Sequence, residues 1–286
     1  MKRALGSTGI SVNGICFGEW PLSDVHRPSD EVGVDVICQA VEAGADLIDT
    51  ADSYCHTHDD FGHGERLVRQ ALNKLGGSAK VTIATKVGYV RPEGEWVAAG
   101  RPEQITEGCK ASLERLGVEA VDLYQLHLPD PEVPVEDSVG AMADLQKAGL
   151  VRHIGVSNFG HKLLTRAQTV AKIESVQNEC SVLKQHDIES GLIQRCADEG
   201  ITYIPWSPLG GESGKQEIAD NAVLQELSKK YGVSVYQLQL RWLLSVGDNV
   251  LPIPGAKRAT SILDSLAATA LEIEAEDLAK IGAIGA

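Results

Sequence analysis

An α/β fold of the (β/α)8 barrel type, its bottom closed by a short N-terminal β-hairpin, is predicted by three features of this 286-residue chain. Apolar runs alternate with amphipathic stretches eight times from residue 15 onward. Most runs are continuous rather than alternating, as parallel strands buried on both faces require. Each link between them is long enough for a right-handed crossover helix. Length alone permits one or two domains, but no shift of composition marks a second. Residues 1–286 are therefore expected to form a single domain.

The elements follow in order. RALGSTGISVN (3–13) reads as a small hairpin turning around Ser7–Gly9, placed before the barrel as a plug. The strand candidates are ICFG (15–18), LIDT (47–50), VTIATK (81–86), LYQLH (123–127), IGVSN (154–158), SVQNE (175–179), ITYIPW (201–206) and VLPIP (250–254). In PEQITEGCKASLERLG, Pro102 suits a first helical turn. Ile105, Cys109, Leu113 and Leu116 share one face, and Gly117 ends the helix. In SVYQLQLRWLLS, Ser234 and Gln237 have capping-box spacing ahead of Val235, Leu238 and Trp242. Three stretches after strand ends, 55–64, 87–101 and 207–221, read as long loops and candidate lids.

Composition narrows the function. A net charge of −14 argues against a nucleic-acid surface, which needs a basic face. The start MKRALGSTGI lacks the apolar core of a signal peptide, and no apolar run reaches transmembrane length. Six scattered cysteines without a CxxC pair read as reduced thiols. The expectation is a cytoplasmic protein bound to neither membrane nor nucleic acid, with a monomer as default because no apolar surface stripe stands out.

The chemistry sits where three runs end: LIDTADSY (47–54), VTIATK (81–86) and VDLYQLH (121–127). Their ends bring Asp49, Tyr54, Lys86 and His127 to the C-terminal face of a barrel, where such folds keep their active sites. A phenol with an ordinary pKa near 10 is a poor acid at neutral pH. A neighbouring ammonium favours the phenolate, so Lys86 is expected to lower the Tyr54 pKa, with Asp49 as counter-charge. A neutral imidazole at His127 can orient a carbonyl oxygen. Singly, each residue is more often structural; the combination points to protonation of an oxygen while hydride reaches its carbon.

DTADSY, ATKVG and DLYQLHLPDP resemble the signatures of the aldo-keto reductase superfamily. The resemblance continues through GLVRHIGVSNF, QNE, WSPLG and IPGAKR, end to end and in order. It implies NADPH-dependent reduction of a small aldehyde or ketone, with Tyr54 as general acid, Lys86 and Asp49 as its tuning pair and His127 orienting the carbonyl. By the same resemblance Ser157, Asn158 and Gln177 hold the nicotinamide carboxamide, and Trp206 stacks on its ring. Ser207, Pro208, Leu209 and Gly210 wrap the pyrophosphate. Ile253, Gly255, Lys257 and Arg258 surround the 2′-phosphate, and two adjacent cations favour NADP over NAD. Gly18, Glu19 and Trp20 at the first strand end, with Ser261 and Asp264 near the adenine, complete the implied cofactor contacts, to which Asp49 also belongs.

The chain departs from the pattern in three places. Asp264 and Ser265 stand where Glu-Asn is usual. Glu19 stands where a Thr commonly precedes the Trp, which implies an acid near cofactor or substrate. The turn after Tyr54 is CHTHDDFGHGE (55–65) rather than Gly-rich. Its spacing fits no standard zinc pattern, so no metal is expected, and a polar rim for a hydroxylated or acidic substrate is the favoured reading. Trp20, Tyr89 and Trp96 are the other pocket candidates. Two other functions compete: a nicotinamide-nucleotide-sensing module with little turnover, and a barrel hydrolase. Asp49 beside Lys86 suits the paired acids of a hydrolase badly.

Overall fold

The computed structural model describes residues 1–76 and 80–285. Lys2–Ala4 (β1) pairs antiparallel with Ser11–Asn13 (β2), through a turn in which Gly6 and Gly9 adopt positive φ. Then come β3 (Phe17–Gly18), β4 (Leu47–Asp49) and β5 (Thr82–Val87), followed by a small antiparallel hairpin of β6 (Tyr89–Val90) and β7 (Val97–Ala98). β8 (Val121–Leu126), β9 (Val151–Ser157), β10 (Ile173–Glu179) and β11 (Thr202–Trp206) complete the laddered strands. Seven of them form one parallel sheet in the order β11-β10-β9-β8-β5-β4-β3.

The eighth run closes the ring without forming a regular strand. Pro252 and Pro254 have no N–H for a ladder. The remaining groups suffice: Leu251 and Ile253 donate to the carbonyls of Tyr203 and Pro205 (2.8 and 3.3 Å). The carbonyls of Pro252 and Pro254 accept from Cys16 and Gly18 (3.0 and 3.1 Å). Gly18 and Gly255 meet as neighbours; a Cβ on Gly18 would lie 2.6 Å from the Ile253 carbonyl oxygen.

The helices are α1 (Asp30–Glu42), α2 (His63–Lys74), α3 (Pro102–Leu116), α4 (Val135–Lys147), α5 (His161–Gln168), α6 (His186–Glu189), α7 (Leu192–Asp198), α8 (Gly211–Asp220), α9 (Ala222–Tyr231), α10 (Val235–Val246), α11 (Ala259–Ala267) and α12 (Ala275–Gly282). α3 follows its sequence signals, from Pro102 to Gly117 in the left-handed region. α10 does so only in part. Ser234 accepts from the Gln237 N–H, but the Gln237 side chain donates to Asp264 instead of completing a capping box. The stretch 207–221, read as an open loop, is mostly α8: Gly210 and Gly211 turn the chain at positive φ, and buried Ile218 anchors the helix.

The barrel interior is layered, as alternation along parallel strands requires. Leu47, Ala84, Leu123, Ile204 and Leu251 pack with Leu5 and Val12, so the hairpin plugs the bottom as expected. Two residues further along three of those strands stand Asp49, Lys86 and Gln125, all at most 1% exposed. The fold therefore turns from apolar to polar in one step toward the mouth.

Candidate active site

The polar layer is a closed hydrogen-bond set. The Lys86 ammonium has three donors and uses them on Asp49 Oδ1, the Thr50 carbonyl (3.0 Å) and Tyr54 Oη (2.9 Å). Asp49 Oδ2 accepts from Gln125 Nε2 (2.9 Å) and Gln177 Nε2 (2.8 Å). Lys86 and Asp49 thus each have an opposite charge and further hydrogen bonds, the condition under which a buried pair is tolerated. Gly155 leaves the room for this: a Cβ there would lie 2.9 Å from Gln125 Cγ. Gln125 and Thr50 were missed by motif reading. For Gln125 a signal existed, since Leu123, Gln125 and His127 share strand parity.

Burial and charge set the protonation states. Burial alone would lower Lys86, but Asp49 and Tyr54 outweigh it and hold the ammonium above its ordinary value. Burial pushes the Tyr54 phenol up to about 12, and Lys86 opposes this without reversing it. The expected lowering of the Tyr54 pKa is therefore corrected: desolvation of the phenolate exceeds the pull of a lysine already committed to Asp49. Burial and Lys86 together hold His127 well below its ordinary value, so its imidazole is neutral, as expected.

Above this floor stands a wall of rings. Trp20 lies 5.1 Å from Tyr54 and 5.3 Å from Trp96, while Tyr89 lies 4.8 Å from His127 and 4.9 Å from Trp96. Trp96 is carried by the β6–β7 hairpin and is 40% exposed. Beneath it the Arg91 guanidinium lies 3.9 Å from the ring centre and donates to the carbonyls of Ser53, Cys55 and Gly94 (3.2, 3.1 and 2.6 Å).

The family model for the Aldo/keto reductase family matches residues 14–286. The chain belongs to that family. It is a family of oxidoreductase enzymes. The protein named "Probable aldo-keto reductase 1" of Glycine max is 31% identical over 306 residues, covering 97% of this chain and 86% of its own. The thermostable aldo-keto reductase Tm1743, solved with the inhibitor epalrestat, superposes with a TM-score of 0.84 at 30% identity, over 100% of both chains. An aldo-keto reductase from Klebsiella pneumoniae, solved with NADPH, shares the fold at 24% identity (TM-score 0.83, 98% of this chain and 93% of that one).

The residues that the sequence resemblance assigns to a cofactor lie along strand ends and the loops and helix starts that follow them. Ser157 ends β9 and Asn158 follows it, with a φ of 63°, donating to the His127 carbonyl (2.9 Å). Gln177 spends its amide nitrogen on Asp49, which joins this arc to the tetrad. Trp206 ends β11 with a buried, unpartnered Nε1, and Ser207 follows at a φ of 47°. Pro208 accepts from Gln239, and Leu209 and Gly210 lead into α8. Ile253 and Gly255 close the ring. Lys257 donates to Asp24 and to the His26 carbonyl (both 3.0 Å), while Arg258 is exposed at the start of α11. Ser261 lies in the first turn of α11. Asp264 is held by Ser234 and Gln237 (both 2.6 Å), which gives it a structural task between α11 and α10.

Two expectations about the mouth need correction. The acid at Glu19 is no exposed group of the mouth: it is fully buried, with Ser23 and Thr50 donating to it. The histidine-rich segment is only in part a polar rim: His56, His58 and Asp59 are exposed, while other members of the segment are tied down. Asp60 pairs with Arg27 and caps the short turn His58–Asp60, His58 packs on Phe61, and His63 is buried against Ser23. Among the described residues no helix is long and apolar enough to cross a membrane.

Proposed function

We propose that this enzyme reduces an aldehyde or ketone to its alcohol with NADPH, and that Tyr54 delivers the proton. One observation carries the reading: Lys86 donates to Tyr54 Oη and has no donor left, so the phenol's own hydrogen is free to point into the mouth. A phenol held up to about 12 stays protonated across physiological pH and releases its proton only when the carbonyl oxygen becomes basic. Neutral His127, on the edge of the same ring wall, orients that oxygen without competing as an acid.

The residues present fit the cofactor. Trp206 offers an indole face and an unsatisfied N–H, and the left-handed Asn158 and Ser207 turn the chain where a ligand would be gripped. The first turns of α8 and α11 have no side-chain cap, which leaves backbone N–H groups for phosphate oxygens. Ser157, Asn158 and Gln177 would hold the carboxamide, Ser207 to Gly210 the pyrophosphate, and Lys257 with Arg258 the 2′-phosphate that favours NADP. Bound there, the cofactor supplies the hydride. A mouth walled by Trp20, Tyr89 and Trp96, with Arg91 covered and already bonded to carbonyls, suits an uncharged carbonyl compound better than an acid.

The test is oxidation of NADPH against a panel of aldehydes and ketones, wild type beside Tyr54→Phe. Turnover should fall by at least about a hundredfold with cofactor affinity nearly unchanged, because only the proton donor is lost. A variant that keeps its turnover removes Tyr54 from the role; tight NADPH binding without turnover by the wild type points to a sensing module.

A further inference from the structure

Glu19 has no place in the chemistry above, yet it is among the most deeply buried acids, with no cation in contact. Thr50 Oγ1 donates to its Oε2 (3.1 Å), and Thr50 also supplies the carbonyl that receives the Lys86 ammonium. One residue therefore joins the Glu19 carboxyl to the lysine that holds Tyr54. On the other side Ser23 Oγ touches both Glu19 Oε1 and His63 Nδ1 (2.7 Å), and His63 Nε2 reaches Asp30 Oδ1 (3.0 Å). The Asp30 side chain is 55% exposed, so this chain of four runs from the interior to solvent. Gly64 provides the space, since a Cβ there would lie 2.3 Å from Glu19 Oε2.

The chain is continuous in hydrogens as well as in distance. Ser23 has one proton to place between two neighbours. When Ser23 donates to a Glu19 carboxylate, His63 Nδ1 carries a proton and donates to Ser23. When Glu19 is protonated and donates to Ser23, Ser23 donates to His63 Nδ1, and Nε2–H faces Asp30. Passing from the second state to the first moves one proton from Glu19 to His63, which then holds both ring protons. Release of the Nε2 proton past Asp30 to solvent leaves Glu19 charged, with no oxidant or co-reactant.

We propose that Glu19 is a positioning residue of the tetrad, exchanging its proton with solvent through Ser23, His63 and Asp30, so that its charge governs how readily Tyr54 gives up its own proton. The idea rests on Tyr54 being the acid. The ionisable groups around Glu19 are Lys86 on β5 and Asp49 on β4, His63 on α2 through Ser23, and Asp30 on α1 behind it. Burial pushes Glu19 up to about 8, against the hydroxyls of Ser23 and Thr50 and the charge of Lys86. Below that value it is neutral. Above it an anion behind Lys86 draws on the ammonium's field and repels a phenolate at Tyr54, and the phenol becomes the weaker acid.

The experiment compares wild type, Glu19→Gln and Ser23→Ala in two measurements. In the rate of carbonyl reduction against pH, the wild type should lose about three- to tenfold across an inflection near the Glu19 value, the effect of a half- to one-unit change in Tyr54 acidity. Glu19→Gln should lack that limb, and Ser23→Ala should move it to higher pH, because a donor to the carboxylate is gone. The second measurement is thermal unfolding against pH, without cofactor. The folded-state value of Glu19 lies above the ordinary carboxyl value, so its protonated form favours the native state, and stability declines as pH rises from about 4.5 to about 8. Relative to Glu19→Gln, the wild type should lose melting temperature over that window. Identical pH–rate limbs and parallel melting curves in wild type and Glu19→Gln would overturn the proposal. Should Glu19→Gln fail to fold, an unmoved limb in Ser23→Ala does the same. An active Tyr54→Phe variant would instead defeat the underlying reading, whatever these curves show.

Discussion

The floor of the active site and the wall of its mouth lie within one ring's width of each other, and they are held by different means. Asp49, Lys86, Gln125 and Gln177 sit on strands whose registers are fixed by parallel ladders, and they bond to one another through side chains; none is more than 2% exposed. Trp96 hangs on a hairpin of two-residue strands, 40% exposed, stacked on an arginine that grips loop carbonyls. The floor is part of the barrel's core, so it cannot change without cost to the fold. The wall can change and leave the barrel standing.

The sharpest break of that comparison is Lys86→Met. It leaves the Asp49 carboxylate buried without its counter-charge, which should cost about 3–5 kcal/mol of folding stability. Urea unfolding measures it, and a loss below about 1 kcal/mol would mean that the floor is not a core element. Adding Asp49→Asn should restore part of the loss, because the uncompensated charge is then gone.

Arg91→Met comes next. It removes the donor from the carbonyls of Ser53 and Cys55, which flank Tyr54, and from Gly94 at the hairpin turn. Carbonyls left without a partner should cost roughly 1–3 kcal/mol if the loops stay closed, and less if they open to water. Either way, turnover should fall further than stability does, since the backbone on both sides of Tyr54 loses its anchor. Steady-state rates beside urea unfolding give the two numbers. A variant with full turnover and lowered stability would show that Tyr54 is placed by Lys86 alone.

This difference in support also explains what was legible in the sequence. Strand-borne residues announce themselves by parity: from Leu47 to Asp49, and from Leu123 through Gln125 to His127, a buried polar side chain follows an apolar one on the same face of a strand. The barrel itself is readable from its eight continuous apolar runs, including the proline-broken run 250–254 that closes it. Contacts made to backbone carbonyls leave no such trace. Nothing in RPEGEW indicates that Arg91 serves residues 53 to 55, and nothing in HTHDD indicates that Asp60 will pair with Arg27. His63 of that segment reads as a rim residue because its partners Ser23 and Asp30 are distant in sequence. The direction of the Tyr54 shift differs for a related reason: the sequence shows the Lys86–Asp49 pair beside the phenol, but not that burial of the phenol outweighs it.

Trp96→Ala should have the smallest effect on the fold and the most selective effect on function. The ring is two-fifths exposed, and its packing with Trp20, Tyr89 and Arg91 is worth about 1 kcal/mol, so melting should hardly move. If the wall grips the substrate as it grips itself, the ring contributes alike to the bound substrate and to the transition state. KM for an aromatic aldehyde such as benzaldehyde should then rise by about two- to tenfold with kcat little changed. For glyceraldehyde, which offers no ring to stack, KM should stay near the wild-type value. A fall in kcat for both compounds would mean that the hairpin excludes water from Tyr54 rather than selecting what enters, and the wall would then belong with the floor after all.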